Sequence, residues 1–286
     1  MNNNFSHKVD RIVEYLNRHM NSTPSLQDLA EVARLSPYHF HRVYRAMTGE
    51  TPMATLRRIR IARALAMLRD TTKPITEIAF DVGYDTSQAF SKSFRQMTGC
   101  SATQARANRD ELDSLANQLS RGPSRTPAPS IEVRLVSIEP FKVISARHIG
   151  PPSGLFSKFS ELFGWAEKTG LLHDFRGIYG IPIDDPREQC DEGPRFDCCF
   201  DFGPNAESIQ QYNQAMLGGG LHAVARHVGP YEGIDDIYDA MYGSWIESSH
   251  YVLRNQCSYN HYLVDPSTVP AEQWETDIYI PIEKIV

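Results

Sequence analysis

Apolar positions in the first 120 residues recur at helical spacing, and they do so twice. Leu26, Leu29, Ala30 and Ala33 return as Ile75, Ile78, Ala79 and Val82, 49 positions on. Phe40, Tyr44, Arg45, Met47, Thr48 and Gly49 return as Phe90, Phe94, Arg95, Met97, Thr98 and Gly99 at an offset of 50, so the second copy holds one extra residue in its turn. Each copy predicts an amphipathic helix, a short turn and a second helix that ends on glycine. Ser36 with Pro37 behind it opens one second helix; Asp85, with Gln88 at the capping-box position, opens the other. The pattern is a helix-turn-helix written twice. Phe40, Tyr44, Phe90 and Phe94 fall on the buried side of the second helices. Between the copies, Thr51 and Pro52 start a helix in which Leu56, Ile59, Ala62, Leu65 and Leu68 form a slowly drifting apolar stripe to about Arg69.

Beyond residue 130 the period changes to two. FKVISARHIG and LHAVARHVG alternate as strands do, and each runs into ARH(I/V)GP, first at Ala146 and again at Ala225, 79 positions later. A helix follows each time, with Leu155, Phe159, Leu162 and Ala166 along one side of the first and Ile234, Tyr238, Met241 and Trp245 along one side of the second. Closing strands begin at Arg195 and Glu275. Alternation sets Ile278, Ile280 and Ile282 on one face, with Phe196, Phe200 and Phe202 as counterparts, and leaves Asp277 with Tyr279, and Asp197 with Cys199, on the other. Two such units paired about a pseudo-two-fold axis would line a shared groove with their polar faces. The expected fold is therefore multidomain, α and α+β: an all-α paired helix-turn-helix domain over 1–120, a Pro-rich linker over 121–130 (RGPSRTPAPS), and an α+β domain of two strand-helix-strand units over 131–286.

Charge sharpens this division. The net charge of −6 resolves into +5 over residues 1–121 and −11 over 122–286, so the front half suits a polyanion and the back half does not. The five cysteines, Cys100, Cys190, Cys198, Cys199 and Cys257, show no CxxC spacing, which indicates neither a disulfide framework nor a zinc site. No apolar run approaches the roughly 18 residues of a membrane span, and MNNNFSHKVD lacks the apolar core of a signal peptide, so a cytoplasmic location with no membrane partner is expected. Gly-rich nucleotide-binding patterns are absent.

The stretches SLQDLAEVARLSPYHFHRVYRAMTG and PITEIAFDVGYDTSQAFSKSFRQMTGCSATQAR resemble the paired helix-turn-helix domain of the AraC/XylS transcription regulators. The resemblance implies binding of double-stranded DNA as a monomer along successive major-groove segments, with RNA polymerase as a further partner. Base-reading positions carry over to Tyr38, His41 and Arg42, and to Ser87, Gln88, Ser91 and Lys92. Arg42 can donate twice to guanine and Gln88 can pair with adenine, while Lys92 suits phosphate. Arg58, on the polar side of the intervening helix with Arg57, Arg60 and Arg63, is a candidate phosphate contact. His39 reads as a helix-surface histidine.

The back half, through its paired RHxGP, GIYGIPIDDP, FDCC and WETDIYIPI, resembles the GyrI-like small-molecule-binding domain. That resemblance implies a groove for a lipophilic, often cationic effector, lined by aromatic rings around an acid of the last strand. The acid is usually Glu in the family; Asp277 stands in its place, beside Tyr279, with Asp197 as its repeat-mate. Trp165, Tyr179, Tyr238, Trp245 and Trp274 are the candidate rings, since ring faces attract organic cations. His148 and His227 read as structural hydrogen bonders, each beside a Gly-Pro turn. No catalytic residue, metal or cofactor is expected; the rival readings are a hydrolase of electrophilic small molecules and a topoisomerase-interacting module.

Overall fold

In the structure, a computed structural model, residues 5–123, 129–187 and 193–285 are described. Residues 124–128 of the expected linker, and Cys190, lie outside them. The chain groups into two units: Phe5–Leu35 with Met47–Thr126, and Ser36–Ala46 with Pro127–Val286. This grouping cuts across the expected 1–120 boundary, because it places most of one helix with the C-terminal unit.

The helical unit begins with α1 (Phe5–Arg18) and α2 (Leu26–Ala33). Ser25 caps α2 with a complete capping box: its Oγ accepts from the Asp28 amide and the Asp28 carboxylate accepts from the Ser25 amide at 2.8 Å. The next helix, α3 (Pro37–Thr48), belongs through Ala46 to the other unit. After it come α4 (Pro52–Asp70), α5 (Ile75–Asp81), α6 (Ser87–Thr98), α7 (Ala102–Ala107) and α8 (Arg109–Arg121). Leu65 and Leu68 of α4 pack with Ile78, Phe90 and Phe94 in one core, as the repeated apolar pattern requires. The start of α6 differs from expectation. Thr86, in extended conformation, is its cap and its Oγ1 accepts from the Ala89 amide at 3.1 Å, while Asp85 stands one residue too early and stays exposed.

The second unit holds an antiparallel sheet of β1 (Val133–Ile138), β2 (Phe141–Ile149), β3 (Gly177–Pro182), β4 (Arg195–Asp201), β5 (Asn213–Leu217), β6 (Gly220–Val228), β7 (Tyr251–Leu253), β8 (Tyr259–Tyr262) and β9 (Glu275–Lys284). Their order is β1-β6-β9-β8-β3-β4-β2-β5, with β7 added on β9. The sheet reads as a palindrome of the two repeats, joined where β3 meets β8 with Tyr179 opposite His261. Each repeat also lends its leading strand to the other: β1 pairs with β6, and β5 pairs with β2. One face carries α9 (Leu155–Lys168) and α10 (Ile234–Ala240), which continues through a π turn at Met241–Trp245. Phe196, Phe200 and Phe202 pack with Leu162 and Ala166 of α9, and Ile278, Ile280 and Ile282 are buried as the alternation requires.

The twice-written RHxGP has one geometry in both copies. Its arginine reaches an acid on the neighbouring strand: Arg147 binds Asp197, and Arg226 binds Asp277. Its histidine locks the following turn, with Nε2–H donating to the Pro151 carbonyl at 3.0 Å in one copy and to the Pro230 carbonyl at 2.7 Å in the other. The glycine between them sits at φ of +132° at Gly150 and +130° at Gly229, where a side chain would be strained. Structural histidines are what the sequence suggested.

Candidate functional site

The two reading helices differ in what they offer. On α6, Gln88, Ser91 and Lys92 are exposed and Ser87 is half-buried, so this helix presents its expected residues. On α3 only Tyr38 is well exposed, at 45 %, whereas His41 is 3 % and Arg42 1 % exposed. Arg42 lies with its guanidinium carbon 3.7 Å from the centre of the Tyr238 ring, and its Nη1 is 3.6 Å from Asp235. None of its three nitrogens has a hydrogen-bond partner. Arg45, one turn nearer the end of α3, is better satisfied: Nη1 donates to Asp185 at 2.5 Å and Nη2 to Asp239 at 2.6 Å.

His39 is buried, not a surface residue. A carbonyl can only accept, so Nε2–H donates to the Arg254 carbonyl at 2.7 Å, and Nδ1 then accepts from the Tyr242 hydroxyl at 2.7 Å. Burial pushes its pKa down to about 4, which fits the neutral ring this pairing needs. Burial, with Arg42 beside it, takes His41 down to about 3.

Arg58 is also placed differently from expectation. Its Nη2 donates to Glu50 at 2.6 Å and its Nη1 to the Leu119 carbonyl at 2.8 Å, so its donors tie the start of α4 to the end of α8 and do not face solvent as a phosphate contact would. Arg60 is held in the same manner by the Met20 and Ser22 carbonyls.

The sheet face opposite α9 and α10 gathers the second set of candidates around the β3–β8 join. Tyr259 and Tyr279 stack at 4.7 Å with their planes 5° apart, and Tyr179 stacks on His261 at 4.4 Å. Phe141 closes on Tyr179 at 5.3 Å, and Val143, Ile181 and Cys199 form an apolar floor. Burial pushes Tyr179 up to about 12 and holds His261 below the usual imidazole value, so these rings are neutral near pH 7. Burial likewise raises the Cys198 thiol to about 12 and the Cys199 thiol well above its ordinary value, which keeps both protonated and poor as nucleophiles.

Asp277 lies at the edge of these rings, but its charge is already matched. Arg226 donates to it from Nε at 2.8 Å and Nη2 at 3.0 Å, and Arg134 bonds it as well. Burial acts to raise the carboxyl, and the two arginines outweigh burial and hold it below the ordinary range. Asp197 repeats the arrangement with Arg147.

Of the five expected rings, the structure brings only Tyr179 to this face. Trp165 packs edge-on to Tyr212 and donates to Gln211, Trp245 stacks on Tyr251, and Trp274 leans on Tyr231 while donating to the Val269 carbonyl. Tyr238 is on α10, donating to Asn260 under Arg42. The common reason is that Trp165, Tyr238 and Trp245 lie on the helical segments covering the opposite face. Tyr259 and His261 were missed in the sequence. The signal was present, since YGIPIDDP from Tyr179 and YNHYLVDP from Tyr259 align at an offset of 80. Among the described residues no group of three or more His, Cys, Asp or Glu is placed to hold a metal ion, and no helix is long and apolar enough to cross a membrane.

Residues 131–283 match the model of the GyrI-like small molecule binding domain, and residues 29–108 match that of a helix-turn-helix domain. The chain is 28 % identical over 158 residues to the probable transcriptional regulator YgiV of Escherichia coli strain K12, a match covering 54 % of this chain and 97 % of that protein. It is 30 % identical over 88 residues to the regulatory protein SoxS of Salmonella typhimurium strain LT2, covering 31 % and 82 %. Among solved structures, EcmrR in its DNA complex is 15 % identical and covers 92 % of this chain and 100 % of that one, at a TM-score of 0.44.

Proposed function

The chain belongs to the GyrI-like small molecule binding domain family through residues 131–283, and on that premise we propose that its effector is a lipophilic compound carrying aromatic rings, cationic in its preferred form. The protein is a DNA-binding transcription regulator in which an AraC-type helix-turn-helix region is joined to that domain. In our reading it is an activator that works with RNA polymerase, that reads bases through Arg42, Gln88 and their neighbours, and that carries its effector on the sheet face between the two repeats.

The observation that carries the effector assignment is the ring arrangement at the β3–β8 join. Tyr179, Tyr259, His261 and Tyr279 come from three strands of both repeats and stack in two pairs, with Tyr179, His261 and Tyr279 part-exposed. An aromatic ligand gains apolar burial and stacking there, and a positive charge gains from the ring faces. Asp277 tunes the charge preference. Its partner Arg134 is 52 % exposed on its side chain, so an organic cation can take that arginine's place on a carboxylate that is itself 4 % exposed.

The test is calorimetric titration of tetraphenylphosphonium and neutral triphenylphosphine oxide into wild type, Tyr279→Ala and Asp277→Asn. Tyr279→Ala is expected to weaken both probes about ten-fold, by loss of one stacking ring. Asp277→Asn is expected to weaken only the cation. Equal binding of both probes by all three proteins would remove this face as the effector site.

A further inference from the structure

We propose that Tyr238, Asp185, Asp235 and Asp239 form a guanidinium cradle whose occupant is α3 of the same chain, and that DNA competes with this cradle for Arg42 and Arg45. It rests on the reading above that α3 contacts DNA. The fold described here is then the DNA-off form of the first reading helix, while α6 keeps its reading residues exposed.

Three observations converge on the cradle. First, two of the three α3 side chains that would face bases are inaccessible, His41 and Arg42 being almost fully buried while Tyr38 stays exposed. Second, the cradle offers what DNA offers, an aromatic face and anionic oxygens. Arg42 lies over the Tyr238 ring as a guanidinium lies over a base, and Arg45 is gripped by two carboxylates as it would be by phosphates. Third, the charges balance only with the helix in place. Asp185, Asp235 and Asp239 face Arg42, Arg45 and Arg187, so withdrawal of α3 leaves Arg187 as the one cation of that set against three carboxylates.

The contact is also built to be reversible. Nε, Nη1 and Nη2 of Arg42 are buried without a hydrogen bond, and a buried donor left unmade is costly. Guanine O6 and N7, or a phosphate, would satisfy those donors. Arg45 and His39 therefore anchor the helix, and Arg42 supplies the drive to leave. The fraction of chains with α3 free sets the apparent DNA affinity, so weakening the cradle tightens DNA binding without touching a DNA-contacting residue.

The experiment uses the full chain and a 30-base-pair duplex selected from a random library by the wild-type protein. Asp185→Asn combined with Asp239→Asn is expected to tighten binding about ten-fold or more, and adding Arg42→Ala to that variant is expected to abolish the gain and relax base preference. If the double variant binds no tighter while Arg42→Ala weakens the wild type, the cradle is refuted and the DNA reading of α3 stands. If Arg42→Ala changes nothing in either background, the DNA reading of α3 fails and the proposal goes with it. Because the double variant can fail to fold, hydrogen exchange on the wild type supplies a second readout. Saturating duplex is expected to deprotect amides of 234–242, and unchanged protection with DNA bound overturns the proposal.

Discussion

At the scale of single residues, the repeated RHxGP shows how one short phrase fixes a turn. The histidine ring that donates to the proline carbonyl also lies against a glycine farther along. A Cβ placed on Gly154 would stand 2.5 Å from His148 Cε1, and one on Gly233 would stand 2.5 Å from His227 Cε1. That distance is well inside van der Waals contact, and the ring cannot swing away without losing its hydrogen bond. Gly233→Ala is therefore expected to destabilise the protein by about 1–3 kcal/mol, as overpacking does. Gly164 is the control, since it lies within α9 and an added Cβ there meets nothing within 4 Å. Gly164→Ala should raise stability by roughly 0.5–1 kcal/mol through helix propensity. Urea unfolding of the two variants against wild type checks both signs, and a Gly233→Ala protein as stable as wild type would remove the lock.

At the scale of elements, α3 is where sequence and structure part most. YHFHRVYRA carries two histidines and two arginines on one helix, a composition that reads as a solvated, DNA-facing surface. The partners that bury it lie 140 to 215 positions away, and no local pattern announces a pairing of that range. The strands were more legible, because period-two alternation fixes the face of a side chain whatever its partner, so Asp277 and Tyr279 could be assigned opposite to Ile278 and Ile280. Trp165 and Trp245 were misplaced for the complementary reason. Helical spacing says which residues share a stripe, but not which face of a sheet the stripe covers. The burial of α3 has a pH signature. Unfolded, His39 takes up its proton near 6.5; folded, burial lowers that to about 4, opposed by the hydrogen bond to the Arg254 carbonyl and helped by the Arg42 charge, with the Tyr242 hydroxyl facing the other ring nitrogen. Between those values the unfolded chain binds more protons, so stability is intact above 6.5 and falls as pH drops toward 4, by up to about 1.4 kcal/mol per pH unit for one histidine. His41, lowered to about 3 among Arg42, Arg45 and Asp185, adds a slope of the same sign. The carboxyls of Asp184 and Asp185 are held below their ordinary value, so their contributions are lost only at lower pH. The measurement is the urea midpoint from pH 7.5 to 4.5 for wild type and His39→Gln, whose amide can replace the Nε2 donor. The variant's profile is expected to be flatter, and parallel profiles would show that His39 titrates alike in both states.

At the scale of the whole molecule, both duplications yield something a single copy lacks, though by different means. The later pair exchanges its leading strands, β1 to β6 and β5 to β2, so neither repeat has a complete sheet alone, and the ring face draws on both. The earlier pair repeats a reading helix, yet leaves one copy presented and the other held by the acidic half of the chain. That asymmetry makes sense of the split in net charge, because carboxylates of the C-terminal half act on arginines of the N-terminal half instead of only repelling DNA. It also gives the effector a route to control. A compound on the ring face acts through α3 only if it binds the α3-held and α3-free forms with different affinity, and thermodynamic linkage then works in both directions by one factor. If tetraphenylphosphonium raises the affinity for the selected duplex by some factor, saturating duplex must raise the affinity for tetraphenylphosphonium by that same factor. In the Asp185→Asn, Asp239→Asn protein, where α3 is already free, both factors are expected to fall toward one. Paired titrations, probe with and without duplex and duplex with and without probe, measure all four quantities. A coupling that persists undiminished in that variant would mean that the effector acts through some element other than α3.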